Sequence, residues 1–142
     1  MPRVFGHDLI AVIASAIAIY AVGFIVYGVL FYGVWLDASG YTEEMFVGAQ
    51  WKMALSPLMP IMTALTLAYL NQATNSKGMM DHVKVALAGF LGFSGVAILY
   101  TWVYSPLTDM TVLMIDAVHL LLGAIAGSTV LIWRKPASAT AS

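Results

Sequence analysis

Four long apolar stretches dominate the chain and limit the folds it can adopt. They run over Leu9–Trp35, Ala54–Leu70, Val83–Tyr104 and Thr111–Trp133. A helix needs about 17–25 mostly apolar residues to cross the hydrocarbon core of a bilayer, and each stretch can supply such a helix. We therefore predict an all-α integral membrane protein, a four-helix bundle that forms a single domain over residues 1–142.

The positions of the basic residues predict how this bundle is oriented. Five basic residues would lie on one side of the membrane, and only Lys52 would lie on the other; the five are Arg3, Lys77, Lys84, Arg134 and Lys135. Cytoplasmic loops of membrane proteins carry an excess of Lys and Arg. Both termini are therefore predicted to be cytoplasmic.

Composition supports this class of protein and excludes others. Apolar residues make up 61% of the chain and charged residues 9%, against about 45–50% and about 25% in an ordinary soluble domain. The net charge of -1 gives no footprint for nucleic acid. The absence of cysteine excludes disulfides, thiolate metal sites and cysteine nucleophiles. The expected partner is the lipid bilayer.

Outside the spans, the longest segment follows the first stretch. Gly40 breaks the chain, Thr42 can cap a new helix, and Glu43 and Glu44 fall in its first turn, where the helix dipole favours anions. Apolar residues then recur at helical spacing, which predicts an outer interfacial helix over residues 42–52. An ordinary structured loop is the alternative. At the other end of the chain, residues 136–142 are predicted to be a disordered tail.

Small residues indicate which helix faces pack together, because lipid provides no hydrophobic drive for helices to associate. Gly123 and Gly127 form a GxxxG pattern in the fourth span, and Gly92 and Gly95 lie on a stripe of the third. We predict that these four glycines mediate helix packing. The contacts can be formed within one bundle or between copies of the chain.

Two ionisable residues lie well inside a span. Asp116 and His119 are three residues apart on the fourth helix and therefore share a face. Ionisable groups inside a membrane are costly and usually functional, so one interpretation is a proton-responsive or ligand-binding site. The other is a hydrogen-bonded clasp between helices, with Tyr27, Tyr100, Trp102 and Thr63 as the candidate partners.

The chain has none of the usual catalytic or cofactor motifs. It has no glycine-rich phosphate loop, no HExxH and no plausible arrangement of serine, histidine and acid. His7 and His82 are predicted on the cytoplasmic side, too far from His119 to complete a metal site. We therefore expect no metal, no cofactor and no enzymatic activity.

The fourth span carries a resemblance to a known family. The run from Ile115 to Leu120, followed by Ile132, Trp133 and Arg134, resembles the closing segment of bacterial membrane proteins grouped as domain of unknown function 1761. The first span and the connector after it also resemble this family. The span has an aromatic and glycine pattern, formed by Tyr27, Gly28, Leu30, Phe31, Gly33 and Trp35. The matching connector residues are Gly40, Thr42, Glu43 and Glu44. The resemblance covers Leu9 to Arg134, although Val29 lies where a proline is common in that family. It implies a small four-helix protein of the bacterial inner membrane, and it brings no established activity or ligand.

Two functional hypotheses from different classes follow. The first is a small non-enzymatic membrane component, either an accessory subunit of another membrane protein or a homo-oligomer, based on the small-residue stripes. The second is a transport or proton-sensing protein that uses Asp116 and His119 in the outer part of the bundle. Transport would require an oligomer, because four helices form only a thin bundle.

Overall fold

The structure is a computed structural model that describes residues 2–133. Met1 and residues 134–142 lie outside the described residues, and with them Arg134, Lys135 and the predicted tail. Within residues 2–133 the chain forms a short β-hairpin followed by six helices: α1 (Leu9–Leu30), α2 (Tyr32–Ser39), α3 (Glu43–Phe46), α4 (Gln50–Ala73), α5 (Met79–Tyr104) and α6 (Met110–Val130). The predicted all-α class is confirmed, but the prediction of four helices was wrong, because the described chain has six.

Four of these helices, α1, α4, α5 and α6, are long and apolar enough to cross a membrane. They correspond to the four apolar stretches of the sequence. The two additional helices, α2 and α3, lie between the first two spans and come from residues that hydropathy had assigned to the end of the first span and to the outer loop.

The first span ends earlier than predicted, at Leu30 rather than Trp35. Its last seven residues, Phe24–Leu30, form a π-helix, and the amide of Phe31 donates to the carbonyl of Val26 at 2.9 Å. Phe31 then leaves helical geometry with φ -125° and ψ 13°. The helix therefore stops, and α2 begins at Tyr32, although the sequence remains apolar.

The connection between the first two spans contains two short helical segments in place of the continuous helix predicted over residues 42–52. Gly40 terminates α2 with φ 70°, a left-handed conformation that favours glycine. α3 covers only Glu43–Phe46, and a 3₁₀ turn over Gln50–Leu55 opens α4. Gly48 lies between them, where its low helix propensity favours the interruption.

The core lies where α1, α4 and α6 meet. Its buried apolar residues are Val12, Ile19, Ala64, Leu67, Ala68 and Leu131. The small residues of α1 and α6 bring the two backbones close together, so that the Ser15 hydroxyl donates to the carbonyl of Gly127 at 2.8 Å. α5 lies at the edge: 6% of its most apolar window is buried, against 22–28% for the other three spans.

An N-terminal hairpin covers one end of this core. Strands β1 (Arg3–Val4) and β2 (His7–Asp8) pair antiparallel. Phe5 and Gly6 form the turn with φ 47° and 74°, the two positive values that a tight hairpin turn requires. The hairpin leads directly into α1, whose first turn is capped by the Asp8 carboxylate accepting from the amide of Ile10 at 2.9 Å.

Candidate functional site

Two polar clusters lie along the long helices, one near each end of α6. The Asp116 cluster consists of Tyr27, Trp35, Asp116 and His119. The Asn71 cluster consists of His7, Asn71, His82 and Ser128. Sequence reasoning named three residues of the first cluster, Tyr27, Asp116 and His119, but it missed Trp35 and did not assemble the second cluster.

The carboxylate of Asp116 joins three helices. The Tyr27 hydroxyl, from the π-helical end of α1, donates to Asp116 Oδ1 at 2.5 Å. The indole Nε1–H of Trp35 in α2 donates to the same oxygen at 3.2 Å. Asp116 lies six residues into α6, or about 9 Å along its axis. The carboxylate is therefore held by two neutral donors close to one end of the bundle.

His119 packs beside this carboxylate. Its ring meets the Tyr27 ring edge to face, with 4.9 Å between the centroids. Its Nε2 lies 3.0 Å from the position that a Cβ on Gly23 would occupy, so a side chain at that position would require the ring to move by a few tenths of an ångström. Among the described residues no hydrogen bond joins His119 to Asp116. Tyr27 is the side chain that contacts both.

The residues predicted to clasp Asp116 and His119 make different contacts in the structure. Tyr27 contacts Asp116, as the clasp interpretation requires. The Thr63 hydroxyl instead donates to the carbonyl of Met59 within its own helix, and Tyr100 stacks on Tyr104 with 5.8 Å between the ring centroids. Trp35 was missed, because a first span running straight to Trp35 would place its ring at the headgroup level.

The four glycines predicted to pack helices fall into two pairs. On α6, Gly123 and Gly127 are buried against α1, and Ile19 is the nearest neighbour of both. On α5, the nearest atoms to a Cβ on Gly95 belong to Phe90 of the same helix, and Gly92 has open space around it. The α6 stripe is therefore packed against another helix of the chain, whereas a Cβ at Gly92 on α5 would meet open space.

The Asn71 cluster connects α4, α5 and α6 through hydrogen bonds between buried groups. Asn71 Nδ2 donates to Ser128 Oγ at 2.8 Å, and Ser128 Oγ donates to the carbonyl of His82 at 2.8 Å. The His82 ring lies 6.3 Å from that of His7, whose Nδ1 is 3.3 Å from the carbonyl of Leu131. The sequence holds one signal for this cluster: Asn71 continues the helical spacing of the buried stripe Ala64, Leu67 and Ala68.

Neither cluster brings together a metal-ligand set. Within residues 2–133 no group of three or more His, Cys, Asp and Glu side chains could hold a metal ion. The chemistry available is hydrogen bonding, proton exchange at the carboxylate and imidazoles, and recognition of small polar groups.

A family model described as "Protein of unknown function (DUF1761)" matches residues 10–132, in agreement with the resemblance in the first and fourth spans. No curated protein and no solved structure matches the chain significantly.

Proposed function

The chain belongs to the DUF1761 family of proteins of unknown function, and we propose that it is a non-enzymatic, multi-pass component of the bacterial inner membrane. In this proposal both termini face the cytoplasm. The protein works as a subunit, either by self-association or as an accessory to another membrane protein, and the association surface is one face of α5.

The main support for this proposal is the exposure of α5. Among the described residues of its second half, Gly95–Tyr104, none is buried. The exposure of Leu91 and Phe93 does not by itself indicate a protein partner, because lipid chains can cover large apolar side chains just as another protein can. The helix is therefore available for contact along most of its length without any rearrangement of the core.

The glycines of α5 favour another protein, rather than lipid, as the group that contacts this helix. A Cβ at Gly89 or Gly92 would meet no atom within 4 Å. Gly92 is exposed and has no side chain, so the helix backbone is accessible at that position. Small residues at such positions allow another helix to approach closely, and the resulting van der Waals contact drives association in membranes.

Cysteine cross-linking in native membranes tests the proposal. The natural chain has no cysteine, so Gly92→Cys introduces a single thiol. We expect oxidation to link this variant to a second copy or to a partner that carries a thiol. Ile13→Cys is the matched control, because Ile13 is also exposed, at 50%, but lies on α1. Equal adduct formation at both positions, or none at Gly92, would contradict the proposal.

A second candidate function is proton-sensing or transport through the Asp116 cluster, and a specific observation favours it. The donor Tyr27 lies within a π-helix, and such segments are frequent at functional sites. The two interpretations differ in what Asp116→Asn does. In a proton-responsive site the amide abolishes the pH response and leaves folding intact, because it cannot ionise.

Titration of the His119 ring by NMR, in the wild type and in Asp116→Asn, measures this directly. A changed titration supports electrostatic coupling between the carboxylate and the ring. An identical titration would show that the two residues only share a contact with Tyr27, and the second candidate would be lost.

A further inference from the structure

A row of aromatic rings leads from the surface to the Asp116 cluster, and the proposed subunit function does not use it. Tyr41, which follows α2, is 51% exposed. The centroid of its ring lies 5.9 Å from that of Trp35, and the Trp35 centroid lies 5.7 Å from that of Tyr27. Trp35 and Tyr27 are partly buried. The aromatic row, Tyr41, Trp35 and Tyr27, therefore connects an exposed phenol with a less accessible one through neighbouring rings.

The chemistry of the row differs from that of the rings at its two ends. Tyrosine and tryptophan lose one electron to form radicals, whereas phenylalanine and histidine are much harder to oxidise. Beyond Tyr41 the next ring is Phe46, at 5.8 Å between centroids, and beyond Tyr27 it is His119, at 4.9 Å. An oxidising equivalent that enters at Tyr41 can therefore move along the row as far as Tyr27, where the row ends.

At that inner end a proton acceptor is already in place. Asp116 Oδ1 accepts from the Tyr27 hydroxyl at 2.5 Å and from the Trp35 indole N–H at 3.2 Å. The shorter distance is typical of a hydroxyl bound to an ionised acceptor. A phenol that loses an electron becomes a strong acid, and a base within hydrogen-bond reach takes its proton without rearrangement. Asp116 therefore makes Tyr27 easier to oxidise.

The outer end of the row has no such acceptor. Within residues 2–133 the phenols that donate to a carboxylate are those of Tyr27 and Tyr32, the latter to Glu43 at 3.2 Å on the exposed surface. Tyr41 is not one of them. The difference in proton acceptors favours a radical at Tyr27 over a radical at Tyr41, so the oxidising equivalent is drawn inward.

The position of Tyr41 indicates which oxidant it would meet. It lies between the candidate spans Leu9–Leu30 and Gln50–Ala73, and tyrosine rings next to membrane spans sit at the level of the lipid headgroups. A peroxyl radical formed on a lipid chain is more polar than the chain and moves towards that level. Phenols reduce peroxyl radicals by giving up a hydrogen atom, so the exposed Tyr41 is chemically suited to this oxidant.

From this arrangement we propose that Tyr27 is a redox-active tyrosine that stores an oxidising equivalent received at Tyr41 from a lipid peroxyl radical, with Trp35 as the relay and Asp116 as the proton acceptor. The reaction is stoichiometric and uses no residue of α5. It is therefore independent of the proposed subunit function.

The atoms and electrons balance in two steps. In the first, the phenolic O–H bond of Tyr41 breaks and an O–H bond forms on the peroxyl oxygen, which gives a hydroperoxide and a Tyr41 radical. In the second, one electron passes from Tyr27 through the Trp35 ring to Tyr41, which takes a proton from water. The phenolic proton of Tyr27 moves to Asp116, and a neutral Tyr27 radical remains beside a protonated carboxyl group.

Flash oxidation of the purified full chain in detergent tests the second step. Photo-oxidised tris(bipyridine)ruthenium is the probe, because this bulky cation stays in water and oxidises exposed side chains first. Transient absorption and electron paramagnetic resonance measure the tyrosyl radical. We expect a long-lived radical in the wild type and a severalfold lower yield in Tyr27→Phe. Asp116→Asn should show the same loss at a nearly unchanged melting temperature, because the amide oxygen accepts a hydrogen bond but does not take up the proton.

Two tyrosines outside the row provide matched controls. Tyr104 is 76% exposed and stacks on Tyr100, and Tyr32 is exposed and bound to a carboxylate. Tyr104→Phe and Tyr32→Phe should keep the long-lived radical. A wild-type yield in Tyr27→Phe or in Asp116→Asn, or an equal loss in either control, would overturn the proposal.

A second experiment tests the peroxyl radical itself. The chain is reconstituted in vesicles of polyunsaturated phosphatidylcholine, and a lipid-soluble azo initiator generates peroxyl radicals. The wild type and Tyr104→Phe should delay the accumulation of lipid hydroperoxides severalfold longer than Tyr27→Phe does. An equal delay in the wild type and in Tyr27→Phe would show that lipid peroxyl radicals are not the oxidant, even where the flash experiment detects a radical at Tyr27.

Discussion

Gly123 and Gly127 look equivalent in the sequence, yet their surroundings differ. A Cβ at Gly127 would lie 2.6 Å from Ile19 Cδ1 and 3.1 Å from Ser15 Oγ. At Gly123 the nearest neighbour, Ile19 Cγ2, would be 3.7 Å away, an ordinary van der Waals distance. The α1–α6 contact therefore depends on one glycine of the pair far more than on the other.

We accordingly predict that Gly127→Ala lowers the free energy of unfolding by about 1–3 kcal/mol, the usual cost of overpacking. Gly123→Ala should change it by less than about 0.5 kcal/mol. Melting in detergent measures both, with Leu121→Ile as a conservative control on the same helix. Equal tolerance of alanine at positions 123 and 127 would show that α1 and α6 do not approach as closely as described.

The second prediction for a single residue concerns Asp116. Asp116→Asn keeps an oxygen to accept from Tyr27 and Trp35, so it should cost little stability. Asp116→Leu leaves both donors unsatisfied. Because hydrogen bonds in membranes average about 0.6 kcal/mol, the loss should be about 1 kcal/mol. If Asn proves as damaging as Leu in the same melting assay, the charge itself is needed and the clasp interpretation fails.

At the scale of helices, hydropathy predicted the existence of each span better than its end. The residues from Phe31 to Trp35 remain apolar enough to extend the first span, but hydropathy carries no information about hydrogen-bond register. The π-helix at Phe24–Leu30 changes that register and ends α1. Trp35 then lies on a separate helix and reaches Asp116, and so it could not be predicted as part of the cluster.

The N-terminus of α6 leads to a prediction about how the stability of the protein depends on pH. The Asp109 carboxylate caps this helix, accepting from the amide of Thr111 at 2.7 Å. The side chain and the amide of Thr111 hold the pKa of Asp109 below its ordinary value. A lowered folded-state pKa contributes stability above the unfolded pKa of about 4, and that stability is lost as pH falls through the folded value.

Asp109→Asn is the matched variant, because asparagine caps helices without titrating. We expect the wild type to melt at a higher temperature than Asp109→Asn at pH 7, since the charge also interacts favourably with the helix dipole. The difference between the two melting temperatures should shrink as pH falls below about 4. A difference that does not depend on pH would show that the Asp109 charge does not stabilise the folded helix.

For the whole molecule, the composition and the length of the apolar stretches were sufficient to predict the fold class. They were not sufficient to predict which helices contact each other. The sequence contains small-residue stripes on the first span (Ala11, Ser15 and Ala18), the third and the fourth, and nothing in their spacing reveals which of these stripes meet. α1 and α6 bury theirs against each other, whereas Gly92 on α5 stays open. The Asn71 cluster was missed for a related reason, since it combines residues from the hairpin and three helices that only tertiary packing brings together.

The orientation in the membrane is a further prediction at this scale. Reporters fused after Ser142 or within residues 71–77 should behave as cytoplasmic, and a reporter within residues 37–40 as external. The expectation rests on five basic residues on one side against Lys52 on the other. An external C-terminus would overturn it.

The mass of the particle extracted with its native lipids tests the central proposal, that α5 is an association surface. Extraction with a lipid-retaining polymer followed by mass measurement should give at least two chains, or one chain with a partner. Gly92→Leu should release a single chain with an unchanged melting temperature, because the added side chain holds a partner helix away from α5 without touching the core. A single-chain wild-type particle, or a Gly92→Leu particle as heavy as the wild type, would contradict the account.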